Sequence, residues 1–146
     1  MSSAFASASS NISGYPTVVY QNESKAVSNA ATSFSLTTPT PLGMTQSVAG
    51  MYLVAGYLNI TTATSVSANV EITWTDENSG AHTTQIVATA SDGAVPVVTA
   101  LTTAGYRDFY KVCRAKNATT MTILTAGTFT TSVTDFGVMV VLLGAL

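Results

Sequence analysis

Side chains branched at Cβ constrain this chain more than any other feature, because Thr, Val and Ile supply 46 of its 146 residues. Their two heavy substituents restrict χ1 and suit a pleated strand better than a helix. Short runs rich in these residues recur between turn signals, and none keeps a helical period over three turns. The runs occupy residues 17–20, 33–37, 51–61, 68–75, 82–90, 95–101, 109–114, 121–125 and 137–146. This pattern predicts an all-β, antiparallel sandwich or barrel, with residues 15–146 as one domain.

Charged residues are scarce. The chain has five Lys or Arg and seven Asp or Glu, 8% of the sequence, where an ordinary soluble domain has about 25%. So few cations cannot build a polybasic surface, and nucleic acid is not an expected partner. The longest apolar run, 138–146, is about half as long as a membrane-spanning helix, so no membrane contact is expected either. A surface with so few charges favours aggregation of the isolated protein, so we expect other subunits to cover much of it.

Two of the predicted strands are apolar on both faces: MYLVAGYLNI from residue 51 and GVMVVLLGAL from residue 137. Only one face of each sheet in an antiparallel sandwich meets the core, so a second apolar face needs another cover. Loops of the same chain could supply that cover, but the scarcity of charge favours contact with a second subunit. The predicted oligomer interface consists of Met51, Leu53, Tyr57, Met139, Val141 and Leu143.

The first 14 residues contain nine Ser or Ala, with Phe5 and Ile12 as isolated apolar side chains. Such a segment lacks the density of apolar groups needed to pack by itself. It is predicted to be a flexible arm, which is either a frayed terminus or a segment that orders on a neighbouring subunit.

Few residues could carry catalysis. His82 is the only imidazole and no G-x-S-x-G elbow occurs, so a serine hydrolase is not predicted. Cys113 has cationic neighbours in sequence, which could lower the pKa of its thiol. Alternation places Cys113 on the strand face opposite Tyr110, Val112 and Arg114, and an unreactive strand cysteine is expected. The sequence therefore predicts no enzyme, no catalytic residue and no cofactor.

The segment 69–87, NVEITWTDENSGAHTTQIV, holds the only Trp and the only His of the chain and three of its seven acids. The Asp-x-Asn-x-Gly spacing from Asp76 resembles the start of a calcium loop, but the Gly and Glu required later in that loop are Ala and Val here. Turn chemistry explains the same residues, because Asp and Asn cap backbone donors and Gly80 can adopt a positive φ. A β-hairpin with Trp74 in the core is favoured, calcium is a minor alternative, and no metal site is predicted.

Four of the five cations lie within ten residues: Arg107, Lys111, Arg114 and Lys116. They could form a patch for an acidic partner or protect a solvated strand edge, and the sequence favours neither.

A Ser/Ala arm, the strand YLVAGYLNITTAT, the hairpin VEITWTDENSGAHT, further Thr-rich strands and an apolar terminal strand follow one another in this chain. In this order the sequence resembles small virion proteins of tailed bacteriophages, over roughly residues 48–146. The resemblance implies a trimeric, jelly-roll-like β-sandwich that serves as a head decoration or fibre-head module. The N-terminal 47 residues do not match.

For a decoration protein, the resemblance implies a homotrimer on the outer surface of the virion, with the major capsid protein as partner. Phe5 and Ile12 of the arm are then the predicted capsid-attachment residues. Two other functions stay open: a receptor- or glycan-binding fibre head or adhesin, and a lattice-forming coat protein.

Overall fold

The computed structural model describes residues 16–37, 47–85 and 104–145, which form six antiparallel strands. The strands are β1 (Thr17–Ser28), β2 (Ser33–Thr37), β3 (Gly50–Thr75), β4 (Ala81–Gln85), β5 (Gly105–Ala115) and β6 (Thr120–Ala145). These ranges contain no helix, so the predicted all-β class is confirmed. In them, accordingly, no helix has the length and apolar character to cross a membrane.

β3 and β6 have 26 residues each, and each unites two runs that the sequence predicted as separate strands. That prediction of separate strands was wrong. The connecting stretches, 60–68 and 126–135, are rich in Thr and Ser and contain no Pro or Asp-Gly turn, so strand pairing continues through them. A register shift between Ile60 and Thr62, and positive φ angles at Gly127 and Thr131, mark where the paired strands bend.

The bends fold the sheet over itself into two layers. The first layer contains, in order, β1, the C-terminal half of β6, the N-terminal half of β3, and β5. The second contains β2, the N-terminal half of β6, the C-terminal half of β3, and β4. Because two long paired strands roll up together and pass through both layers, the fold is a jelly-roll-like antiparallel β-sandwich, as predicted.

Aromatic and aliphatic side chains fill the space between the layers. Phe34 of the second layer stacks on Phe136 of the first with ring centroids 5.2 Å apart, and Phe109 lies 5.9 Å from Phe136. Trp74, predicted as a core residue, is partly buried and packs against this core from its rim. Even-numbered residues of β3 from 52 to 60 and of β6 from 134 to 142 face the core, so their odd-numbered neighbours face away from it.

Candidate interaction face

The side of the first layer that points away from the core is called the outer face. It is formed by odd-numbered residues of β3 and β6, even-numbered residues of β5, and Val18, Gln21 and Glu23 of β1, because successive side chains alternate across a strand. The strand registers align them in rows. From one end these are Asp135, Asn59 and Tyr106; then Glu23, Gly137, Tyr57 and Asp108; then Gln21, Met139, Ala55 and Tyr110; then Val18, Val141, Leu53 and Val112. The last row holds Met51 and Arg114, and there a register shift between Met51 and Tyr52 pairs Met51 with Gly144 and leaves Leu143 unpaired with β3.

Much of the outer face is apolar and accessible. Among the residues whose side chains the structure describes, which leaves out 63–67 and 84–85, every exposed large hydrophobic side chain lies on this face, with 36–52% of its surface accessible. These side chains are Val18, Met51, Tyr106, Tyr110, Val112, Met139 and Leu143. A contiguous apolar patch of this kind marks an interaction site more often than a free surface.

All six residues of the predicted oligomer interface lie on this face: Met51, Leu53, Tyr57, Met139, Val141 and Leu143. Val141 is buried there without joining the core, and Leu53 and Tyr57 are half-buried. Their common position does not identify what they contact, so the interface itself stays a prediction. Sequence reasoning missed the apolar residues of β1 and β5, although the alternation in YRDFYKVCRA carried the signal for β5.

A groove of about 270 Å³ lies on the outer face between β1, β6 and β3. Its lining includes Gln21, Glu23, Ala55, Tyr57, Gly137 and Met139. The ring of Tyr57 lies against Gly137, where a Cβ would overlap Cε1 and come within 3.0 Å of Cζ of that ring. The close approach of the ring to β6 therefore requires glycine at 137.

Tyr57 connects several polar side chains of the outer face. Its hydroxyl donates to the carboxylate of Glu23, and its ring stacks on Tyr106 with centroids 5.7 Å apart. The hydroxyl of Tyr106 donates to Asp108 at 2.7 Å. The hydrogen bond to Glu23, then burial, then the negative charges of Glu23 and Asp135 raise the pKa of Tyr57 to about 12. The phenol is therefore a neutral donor at physiological pH.

Charged side chains occupy only the two ends of the outer face. Glu23, Asp108 and Asp135 lie at one end, where Lys25 pairs with Glu23 at 3.4 Å and leaves an excess of negative charge. Arg114 lies at the other end, where its guanidinium pairs with Glu77. The two rows between these ends contain no charged residue. The sequence did not reveal the acidic end, because its three carboxylates come from three different strands.

The turn of the β3–β4 hairpin is built around Asp76. Its Oδ1 accepts hydrogen bonds from the backbone N–H groups of Asn78 at 2.9 Å and Gly80 at 2.8 Å, and its Oδ2 lies 2.7 Å from His82 Nε2. These hydrogen bonds, that of His82 first, hold the pKa of Asp76 below its ordinary value. The turn therefore engages both carboxylate oxygens, which supports the hairpin interpretation. In the described part of the chain, no three His, Cys, Asp or Glu side chains are grouped to hold a metal ion.

The left-handed residue of this turn is Ser79, with φ 67°, and not Gly80 as predicted. Glycine is needed at 80 for a different reason, because a Cβ there would lie 2.9 Å from Asp76 Oδ2. His82 stacks on Trp74 with ring centroids 5.0 Å apart, and Lys111 Nζ lies 5.9 Å from the centroid of the Trp74 ring. His82 therefore helps to pack the rim of the core.

Cys113 is buried, on the face of β5 opposite Tyr110, Val112 and Arg114, as the alternation predicted. Burial raises the pKa of its thiol to about 12, against a smaller lowering by Lys111. The thiol is therefore protonated at neutral pH, a form that does not act as a nucleophile.

The four clustered cations interact with different groups. Arg107 donates to the Tyr106 carbonyl, Lys111 lies over Trp74, Arg114 pairs with Glu77, and Lys116 donates to Ser79 Oγ. The predicted capsid-attachment residues Phe5 and Ile12 lie outside the described residues, so their role stays a prediction.

No protein-family model matches the sequence, and no curated protein matches it. In fold, the chain is similar to the CBM22-1 xylan-binding domain from Paenibacillus barcinonensis Xyn10C, with a TM-score of 0.48 and 12% identity over 86% of this chain and 72% of that one. It is also similar to a chain of infectious bursal disease virus strain Gt, with a TM-score of 0.44 and 14% identity over 86% of this chain. The matched part is 32% of the length of that viral chain.

Proposed function

We propose that this protein is a non-enzymatic structural protein of a virion that forms a homo-oligomer through its outer face and decorates the head shell. The observation that carries the proposal is the outer face itself, which gathers seven exposed hydrophobic side chains in a chain with 8% charged residues. The resemblance of the sequence to virion proteins of tailed bacteriophages supports the setting. The Ser/Ala arm that precedes β1 supports attachment, with the major capsid protein as partner.

Burial of the outer face supplies free energy on the scale that association needs. Fully burying a Val, Leu or Met side chain is worth about 1.5–3 kcal/mol. Side chains that are a third to a half exposed therefore retain about 0.5–1.5 kcal/mol each. Seven of them on each of two subunits reach the range of about 4–15 kcal/mol that association costs.

Native mass spectrometry of the purified protein and of intact particles tests the proposal. We expect a discrete oligomer in solution and a fixed number of copies on each particle. Leu143→Asp should shift the protein to monomer, because it sets a charge in the apolar face. Ser33→Asp is the matched control, because Ser33 is exposed on the second layer. A folded wild-type monomer at micromolar concentration contradicts the oligomer.

The attachment role of the arm has its own test. The double variant Phe5→Ser/Ile12→Ser should keep the oligomer but lose binding to shells that lack the protein. Ala4→Ser/Ala8→Ser is the control, because it changes two residues of the same arm and keeps both apolar side chains. Full decoration of shells by the Phe5/Ile12 variant contradicts this role.

A glycan-binding fibre head or adhesin is the second candidate, and the groove beside Tyr57 favours it. An aromatic ring flanked by Gln21 and Glu23 offers a sugar an apolar surface together with hydrogen-bonding groups. A glycan array followed by NMR titration of the best oligosaccharide tests this function. Tyr57→Ala should then abolish binding while Tyr110→Ala, outside the groove, preserves it. Absence of reproducible array signals contradicts this candidate, and an excess of copies over every other shell protein indicates a coat protein instead.

A further inference from the structure

The described surface offers the outer face no apolar counterpart other than itself. All exposed large hydrophobics among the side chains that the structure describes lie on this face. In a head-to-tail contact, two different surfaces meet, so this face would be set against a part of the described surface that exposes no large hydrophobic side chain. In a twofold contact, the same patch meets itself, and both apolar faces become covered.

We propose that the outer face binds the outer face of a second copy of this chain about a twofold axis, with the strands of the two copies antiparallel. The proposal rests on the homo-oligomer of the proposed function. This twofold contact would make the protein a dimer, whereas the resemblance to virion proteins implies a trimer.

The charges at the ends of the outer face set the direction of this contact. If the strands of the two copies ran parallel, the axis would lie along the strands and place β5 of one copy over β1 of the other, so that Asp108 would face Glu23. Like charges opposed across an interface weaken association. An antiparallel arrangement instead sets Arg114 of each copy over Asp108 of the other, because both lie on β5 at opposite ends of the face.

The strand registers determine which side chains of the two copies meet. Rows from Met51 to Tyr57 span about 20 Å at roughly 3.3 Å per residue. A twofold axis between the rows of Leu53 and Ala55 places the larger side chain over the smaller one. On β5 the same axis places Arg114 over Asp108 of the second copy. Packed sheets lie about 10 Å apart and are rotated by about 30°, an offset that the long Arg side chain can span.

The groove gains an occupant in the same arrangement. On β6, the same axis places Leu143 of one copy over Gly137 of the second copy. Leu143 is exposed, and the groove beside Gly137 holds about 270 Å³, ample for one leucine side chain. The contact therefore fits an apolar knob into a hole on each side of the axis.

A charge swap tests the proposal, with dimer Kd measured by sedimentation equilibrium and folding checked by circular dichroism. Asp108→Arg alone and Arg114→Asp alone should each raise the dimer Kd by at least about tenfold. The double variant Asp108→Arg/Arg114→Asp should restore it to within about threefold of the wild type, because the opposed pair re-forms in reverse.

Two controls separate the interface from internal effects of these changes. Glu77→Gln removes the partner of Arg114 within the chain, and Arg107→Asp reverses the charge of the residue next to Asp108 on the other side of β5. Both should leave the dimer Kd unchanged. Leu143→Ala removes the knob without a new charge and should raise the Kd by about tenfold.

The outcomes distinguish this contact from the proposed function. A dimer whose charge swap restores binding supports both. A wild-type trimer, or a dimer in which the double variant stays as weak as the single ones, overturns the twofold antiparallel contact and leaves the oligomer standing. A wild-type monomer overturns the contact and the oligomer together.

Discussion

Gly137→Ala should destabilise the fold because it displaces the Tyr57 ring. The new Cβ would overlap Cε1 of Tyr57 and lie 3.0 Å from Cζ, so the ring must move. That motion weakens the stack on Tyr106, worth about 0.5–1.5 kcal/mol, and the hydrogen bond to Glu23, worth about 1 kcal/mol at an exposed site. Replacing Gly in the unfolded chain returns about 0.4–1 kcal/mol. The net loss of unfolding free energy should be about 0.5–2 kcal/mol.

Urea unfolding of dilute protein, followed by fluorescence, measures this loss. The sharper measurement is a double-mutant cycle with Tyr57→Ala, because the alanine at 137 meets no ring in that background. Gly137→Ala should then become neutral or slightly stabilising. A loss that persists unchanged in the Tyr57→Ala background would refute the reasoning, since the cause would then be the backbone at 137 and not the ring.

Three further outcomes are expected. Phe136→Ala should cost about 3–5 kcal/mol in urea unfolding, because Phe136 is fully buried between Phe34 and Phe109, and a cost below about 1 kcal/mol contradicts the described core. The folded-state pKa of Asp76 is lowered, so this group adds stability that is present above its ordinary value of 3.8 and is lost as pH falls through the lower folded value. The melting temperature of Asp76→Asn should therefore fall less steeply at acidic pH than that of the wild type. An unchanged pH dependence of the melting temperature counts against the turn contacts. Iodoacetamide should label Cys113 only as fast as the protein unfolds, and rapid labelling of native protein contradicts its burial.

The strand content could be predicted from the sequence because β-branching and alternation are local properties. MYLVAGYLNI and GVMVVLLGAL lie in β3 and β6, and the alternation in YKVCRA gave the correct face for Cys113. The lengths of β3 and β6 could not be predicted in the same way. Whether a Thr- and Ser-rich stretch such as 60–68 ends a strand or bends within it depends on a partner strand far away in sequence.

The outer face could likewise be predicted from the sequence only in part. The six interface residues followed from strands that are apolar on both faces, which is a pattern within one strand. The groove, the acidic end and the contact of Tyr57 with Glu23 each join different strands, so only the register brings them together. The β3–β4 hairpin holds residue types that are rare in this chain, yet Asp76 and His82 serve its turn and the rim of the core.

The long pairing of β3 with β6 also sets how this chain must reach its structure. Gly50 pairs with Ala145 and Thr73 with Thr122, so the central ladder joins segments that are far apart along the chain. Such non-local pairing pays loop-closure entropy before any contact forms, and folds of this kind take about milliseconds to seconds. Since the ladder runs through both layers, neither layer can open alone without breaking it. We therefore expect slow refolding and a single cooperative unfolding transition, which leaves few partly open states for proteases to cut.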